Sequence, residues 1–211
     1  MGRFSVNEAE NYGSSGGGGY FKLQNDKDTA RVRFMYNGID DIEGYAVHEV
    51  EVDGKKRYVN CLRESYNSSI DDCPFCKAGR FQQVKYFMQL FNEDTKTIQT
   101  WERGKKFGTK ISSICARYPH LINHTFDIER NGKAGDMATT YEIYPVGSDN
   151  VELADLPEKQ EIIGNFVLDK SADELKYYLD HDCFPDGDNG EVRRRSDVPT
   201  RRTPNSQRES F

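Results

Sequence analysis

No stretch of this 211-residue sequence is apolar for long enough to cross a bilayer, and its start lacks the basic-then-apolar order of a secretory leader. The chain is therefore expected to work without a membrane and in a reducing compartment, where five cysteines point to metal binding rather than to disulfides. No internal repeat is present. No G-x-x-x-x-G-K-[ST] occurs, so no P-loop is predicted, and Gly16 to Gly19 neither follow a strand nor open a helix. Acidic residues are plentiful, but no spacing among them favours a metal nuclease.

What the sequence does contain is one histidine and three cysteines in the order His48, Cys61, Cys73, Cys76. One imidazole and three thiolates are a complete set for a closed tetrahedral zinc site. The Cys73-Pro74-Phe75-Cys76 knuckle can grip an ion from a tight turn. A lone CxxC also fits a redox pair, so the positions of the other two ligands matter. Residues 45–52 and 55–62 read as strands joined by Asp53-Gly54, a two-residue hairpin signal. In that register position 52 faces 55 and position 48 faces 59, which makes Cys61 the diagonal neighbour of His48 on the same face. A one-residue slip would send a ligand to the wrong side. With four protein ligands no coordination position is left for water, so one structural Zn2+ is predicted and no catalysis. Zinc deaminases use H-x-E followed by P-C-x-x-C. Here Val50 stands where the catalytic Glu belongs and Pro74 lies inside the pair, so the chain is not read as an enzyme. Cys115 falls in an apolar helical stripe and is assigned to the core, while Cys183 carries no signal.

The flanks differ from the middle. Residues 1–19 end in Ser-Ser and four glycines, a flexible linker composition, and residues 186–211 are Arg-, Ser- and Pro-rich with little to bury. Residues 20–185 are the expected folded core, with a zinc subdomain at about 45–80. Charge is uneven: residues 20–118 carry a net +3 and residues 119–185 a net -9, within an overall -6. Such asymmetry fits a nucleic-acid face with acidic surface elsewhere, and equally a solvated mixed-charge surface.

Short alternating runs predict strands at 29–36, 83–91, 97–102, 125–130 and 137–144 besides the zinc hairpin. In the first, Arg31 and Arg33 are read as outward-facing. One helix is predicted from Arg103 to Tyr118, with Phe107, Ile111, Ile114, Cys115 and Tyr118 on its apolar stripe and Pro119 marking its end. A shorter one is predicted at 171–180, with Ser171 and Glu174 as a capping box. Many strands and few helices suggest a small barrel or sandwich.

Lys85, Phe87, Gln89 and Phe91 share one face of a strand, and Trp101, Arg103, Lys105, Lys106 and Lys110 cluster beyond it. Cations for phosphates and flat rings for unstacked bases are what single-stranded nucleic acid requires. Phe34, Tyr86 and Phe107 are assigned to the interior, whereas Phe87 and Trp101 fit the core and the binding face alike. The ligand order, the CPxC knuckle before a Lys/Tyr/Phe-rich strand, and the stretches KYFMQLF and WERGKKF resemble the helix-destabilising single-stranded-DNA-binding proteins of T-even phages. The likeness spans roughly residues 20–145.

The resemblance implies a mainly β, OB-fold-like barrel with an inserted structural zinc subdomain and a cationic cleft between them. It also implies sequence-independent binding of single-stranded DNA in phage replication, recombination and repair, inside the cytoplasm of an infected bacterium. Arg31, Arg33, Lys85, Arg103, Lys105, Lys106 and Lys110 are then the phosphate contacts, Phe87 and Trp101 the stacking rings, and replication proteins the partners of the tails. The family's acidic C-terminal tail is not matched, since this chain ends in Arg193-Arg194-Arg195, Arg201-Arg202 and Phe211. The alternative is a zinc-ribbon module that recruits proteins of a replication or transcription complex.

Overall fold

The computed structural model describes residues 19–148 and 155–185; the segment before Gly19 and the tail 186–211, with the flexibility and partners expected of them, lie outside that range. The chain is mainly β. Its strands are β1 (Thr29–Phe34), β2 (Gly44–Val52), β3 (Lys55–Asn60), β4 (Gln82–Asn92), β5 (Thr97–Gly104), β6 (His124–Asn131), β7 (Thr140–Ser148) and β8 (Val167–Leu168). Three α-helices accompany them among the described residues: α1 (Pro74–Lys77), α2 (Gly108–Arg117) and α3 (Ala172–His181). None is long and apolar enough to cross a membrane.

The strands form one mixed sheet in the order β7-β6-β1-β4-β2-β3-β8, with β5 added to β4. The β2–β3 turn places Asp53 at φ 52° and Gly54 at φ 72°, the two left-handed residues of a type I′ hairpin. The register is the one the turn dictates: Val52 faces Lys55, Glu51 faces Lys56 and His48 faces Val59. Strand β4 is the hub. It pairs with β5 along most of its length, with β2 at its start and with β1 at its end. No ladder joins edge strand β5 to edge strand β7 among the described residues, so the sheet is open. Side chains bridge that gap instead: the Trp101 and Tyr141 rings meet at 5.4 Å, and Lys110 of α2 reaches Glu142 at 2.8 Å.

One face of the sheet holds the main core, with Val32, Phe34, Met88, Leu90, Trp101, Ile111, Phe126 and Ile128 all buried. Helix α2 closes it with Ile111, and Phe107, Ile114, Cys115 and Tyr118 pack around it, the stripe that the period implied. Gly108 lets this helix start against Tyr86, whose hydroxyl would lie 2.6 Å from an added Cβ.

The opposite face departs from expectation. Residues 155–168 lie across it: Ile162, Phe166 and Val167 cover Phe87, while Leu156 packs against Met35, Phe91 and Ile98. Gln89 secures this strap by accepting from the Gln160 amide at 2.6 Å and donating to its carbonyl. Both faces of β4 are therefore buried. Arg33, read as outward, is only 3% exposed, and it is held there by Glu93 at 3.2 Å and by the Ile122 carbonyl at 2.8 Å. Alternation along a strand says which residues share a face, and a covering segment over a hundred positions later decides whether that face is wet.

Candidate metal centre and adjoining groove

Hairpin β2–β3 supplies His48 directly, and Cys61 follows the end of β3. Cys73 and Cys76 bracket the first turn of α1, where Pro74 occupies the initial helical position and needs no amide partner. Their ligand atoms all lie within 4.8 Å of one another. The His48 Nε2 atom is 3.6 Å from Cys73 Sγ and 3.5 Å from Cys76 Sγ, and the Cys61 and Cys76 sulfurs are 3.6 Å apart. A tetrahedral ion bound at ~2.3 Å to sulfur and ~2.0–2.1 Å to nitrogen needs ligand-to-ligand edges of roughly 3.5–3.8 Å. The four residues fit one metal ion, and none of them is in a disulfide.

The protonation chemistry agrees. Burial pushes the His48 imidazole below its ordinary value, and the Phe81 carbonyl lies 3.1 Å from Nδ1. With Nδ1–H donating there, the Nε2 lone pair is free for a metal. Burial, then the Cys61 and Cys73 thiols, push the Cys76 thiol up to about 12. For Cys73 burial works the same way, but the backbone N–H groups of Cys76, Leu62 and Phe75 outweigh it and hold the thiol below its ordinary value. Three thiolates cannot share so small a space unless a cation replaces their protons.

The lobe around this centre is larger than residues 45–80. Helix α3 packs on it, joining Leu175 and Tyr178 to Val50, Val59, Cys73 and Phe75. Its start has the full capping box, Ser171 and Glu174 bonding reciprocally. The Tyr178 hydroxyl accepts from the Glu51 amide at 2.9 Å and donates to the Glu51 carbonyl at 3.1 Å. The sequence showed the helix and its cap; nothing in it pointed to the metal lobe.

The residues predicted to touch nucleic acid are scattered. Phe87 is 2% exposed and Trp101 1%, so both rings are core and present no face for a base in this conformation. Arg31 forms a two-pronged pair with Asp127 at 2.9 and 3.1 Å. Lys85 is bound to Glu102 at 2.8 Å, with its ammonium 4.9 Å from the Tyr58 ring. Lys110 is bound to Glu142 and to the Tyr141 carbonyl. Lys105 and Lys106 are exposed at the β5–α2 junction. Arg103 is stacked between rings, 3.9 Å from Tyr141 and 4.4 Å from Trp101, and burial lowers its pKa.

Two concavities meet at Tyr20, Lys22 and Glu102. The larger, of about 530 Å³, lies between β5 and β7 and is lined by Trp101, Arg103, Arg130 and Tyr141. The other continues along the zinc hairpin past Lys55, Lys56, Arg57, Tyr58 and Phe166. Glu49 and Glu102 are the carboxylates in the lining. The basic run Lys55-Lys56-Arg57 was visible in the sequence, but its companions Tyr20, Lys22 and Tyr141 come from distant segments and carry no local signal. No protein-family model matches this chain, and comparison with curated proteins finds no match.

Proposed function

We propose that this protein binds single-stranded DNA without regard to sequence, in phage replication, recombination and repair, and that one structural zinc ion braces its metal lobe. The closed nitrogen-and-sulfur ligand set favours Zn2+, and leaves no open position for chemistry. The curled sheet, bridged by Trp101, Tyr141 and Lys110 where no ladder closes it, supports an OB-like barrel as its origin. The observation that carries the reading is the joined groove, where cations from Lys22, Lys55, Lys56, Arg57 and Arg103 outnumber carboxylates beside the rings of Tyr20, Tyr58 and Tyr141. Phosphates need the first set and unstacked bases the second, each stack contributing ~1–3 kcal/mol.

Anisotropy of a labelled oligo(dT), titrated with protein at several salt concentrations, tests this. Log affinity should fall linearly with log salt, by roughly 0.7 per phosphate neutralised. The Lys22→Ala, Arg57→Ala double variant should weaken binding and flatten that slope by ~1.4. Absence of salt-dependent binding would refute the proposal. It would favour a protein-recruiting zinc module instead, a reading supported by Tyr66 and Phe81, which are 94% and 78% exposed beside the metal lobe.

A further inference from the structure

Strand β4 begins beside the metal ligands and ends in the centre of the sheet. Its register places Gln82 directly opposite His48, so the two side chains share a face. From there the Gln82 amide donates to Cys61 Sγ at 3.0 Å, while the preceding Phe81 carbonyl lies 3.1 Å from His48 Nδ1. Two successive residues thus offer one donor to a thiolate and one acceptor to the imidazole. The sulfurs are served by different groups. Cys73 takes the backbone N–H groups of Cys76, Leu62 and Phe75, and Cys61 takes the Gln82 amide.

We infer that Gln82 is a positioning residue of the metal centre, whose amide fixes Cys61, draws off part of its thiolate charge and ties the ion to β4. The inference rests on the metal reading above. Three thiolates on a divalent cation leave one excess negative charge, and an N–H bond to sulfur disperses it. Glutamine combines this reach with a neutral N–H donor, whereas glutamate has the same shape but no N–H, and leucine fills the space with no polar group. The bond also gives metal occupancy a direct path into the strand that carries Lys85 and pairs with Arg103.

The test uses the full chain loaded with Co2+, in wild type, Gln82→Leu and Gln82→Glu. Wild type should take up one equivalent with tetrahedral d–d bands and a sulfur-to-cobalt charge-transfer band. Both variants should move the charge-transfer band to longer wavelength and bind metal ~10–100-fold more weakly, as loss of an outer-sphere partner does elsewhere. With zinc bound, iodoacetamide should modify Cys61 faster in the variants than in wild type. Full cobalt uptake with an unmoved band and unchanged affinity would reduce Gln82 to filler and overturn the inference alone. Failure of wild type to bind cobalt would overturn the metal reading, and the inference with it.

Discussion

Phe34, Met88, Trp101, Ile111, Phe126 and Ile128 fill the main core, whereas the metal lobe has Val50, Val59, Phe75, Leu175, Tyr178 and the buried Cys73 at its centre. The first cluster is large and apolar on all sides, and draws on several strands and a helix. The second is small, contains the thiol and imidazole groups it must keep dry, and depends on a hairpin, a four-residue helix and α3 for its walls. A small lobe has little apolar surface to set against the entropy of ordering its chain. On the metal reading proposed above, an ion supplies the difference, because binding energy that exists only in the folded state is folding energy. That proposal has one region of the molecule held by area and the other by ligation.

Removing the metal should break the contrast most sharply. Chelation, or Cys76→Ser, withdraws a term on the order of 10 kcal/mol. Hydrogen exchange should then show amides of 45–80 and of α3 losing protection while β1 and β6 keep theirs. Uniform loss, or none, would contradict a divided molecule. The metal-free lobe should also depend on pH at both ends. The His48 value is lowered on folding, so its contribution is full above the unfolded value near 6.5 and is lost as pH falls through the folded one. The Cys76 value rises from 9.0 to about 12, so the folded form holds a proton that the unfolded form releases, and stability is lost as pH rises across that window. Bound metal, by taking the thiolates, should remove the alkaline loss; thermal melts with and without zinc would show it.

In the main core the expected pattern reverses. Phe34→Ala should cost ~3–5 kcal/mol in denaturant unfolding, with metal stoichiometry unchanged in whatever fraction remains folded. Tyr178→Phe, which removes both hydroxyl bonds to the Glu51 peptide, should cost ~1–3 kcal/mol and speed zinc release to a chelator while leaving β1 and β6 protection intact. Least of all, Ser171→Ala should cost ~1 kcal/mol through the lost cap, read as increased exchange confined to α3. An equal response in both halves to either of the last two would show a single cooperative unit.

The metal site was legible because its information is local. The turn Asp53-Gly54 sets the register, the register aligns His48 with Cys61, and the knuckle spacing does the rest. The helices were legible in part: Ser171 and Glu174 mark the start of α3 and Pro119 follows the end of α2, but α2 begins at Gly108 and not at Arg103, which still belongs to β5. The groove was legible only in part. The run Lys55-Lys56-Arg57 is contiguous in one strand but was not among the expected contacts, Phe87 is covered by Ile162, Phe166 and Val167, and Arg33 is buried against Glu93 and the Ile122 carbonyl.

The sequence by itself determined most of the strands, though not β8, together with the hairpin register and the four residues of the candidate metal cluster, since turn chemistry and side-chain period act between near neighbours. Only the tertiary structure decided that α3 closes the metal lobe, that Trp101 belongs to the core, and that Tyr20 and Lys22 face the hairpin's cations. Those choices depend on which distant segment reaches a surface first and buries it, and no local pattern records that competition.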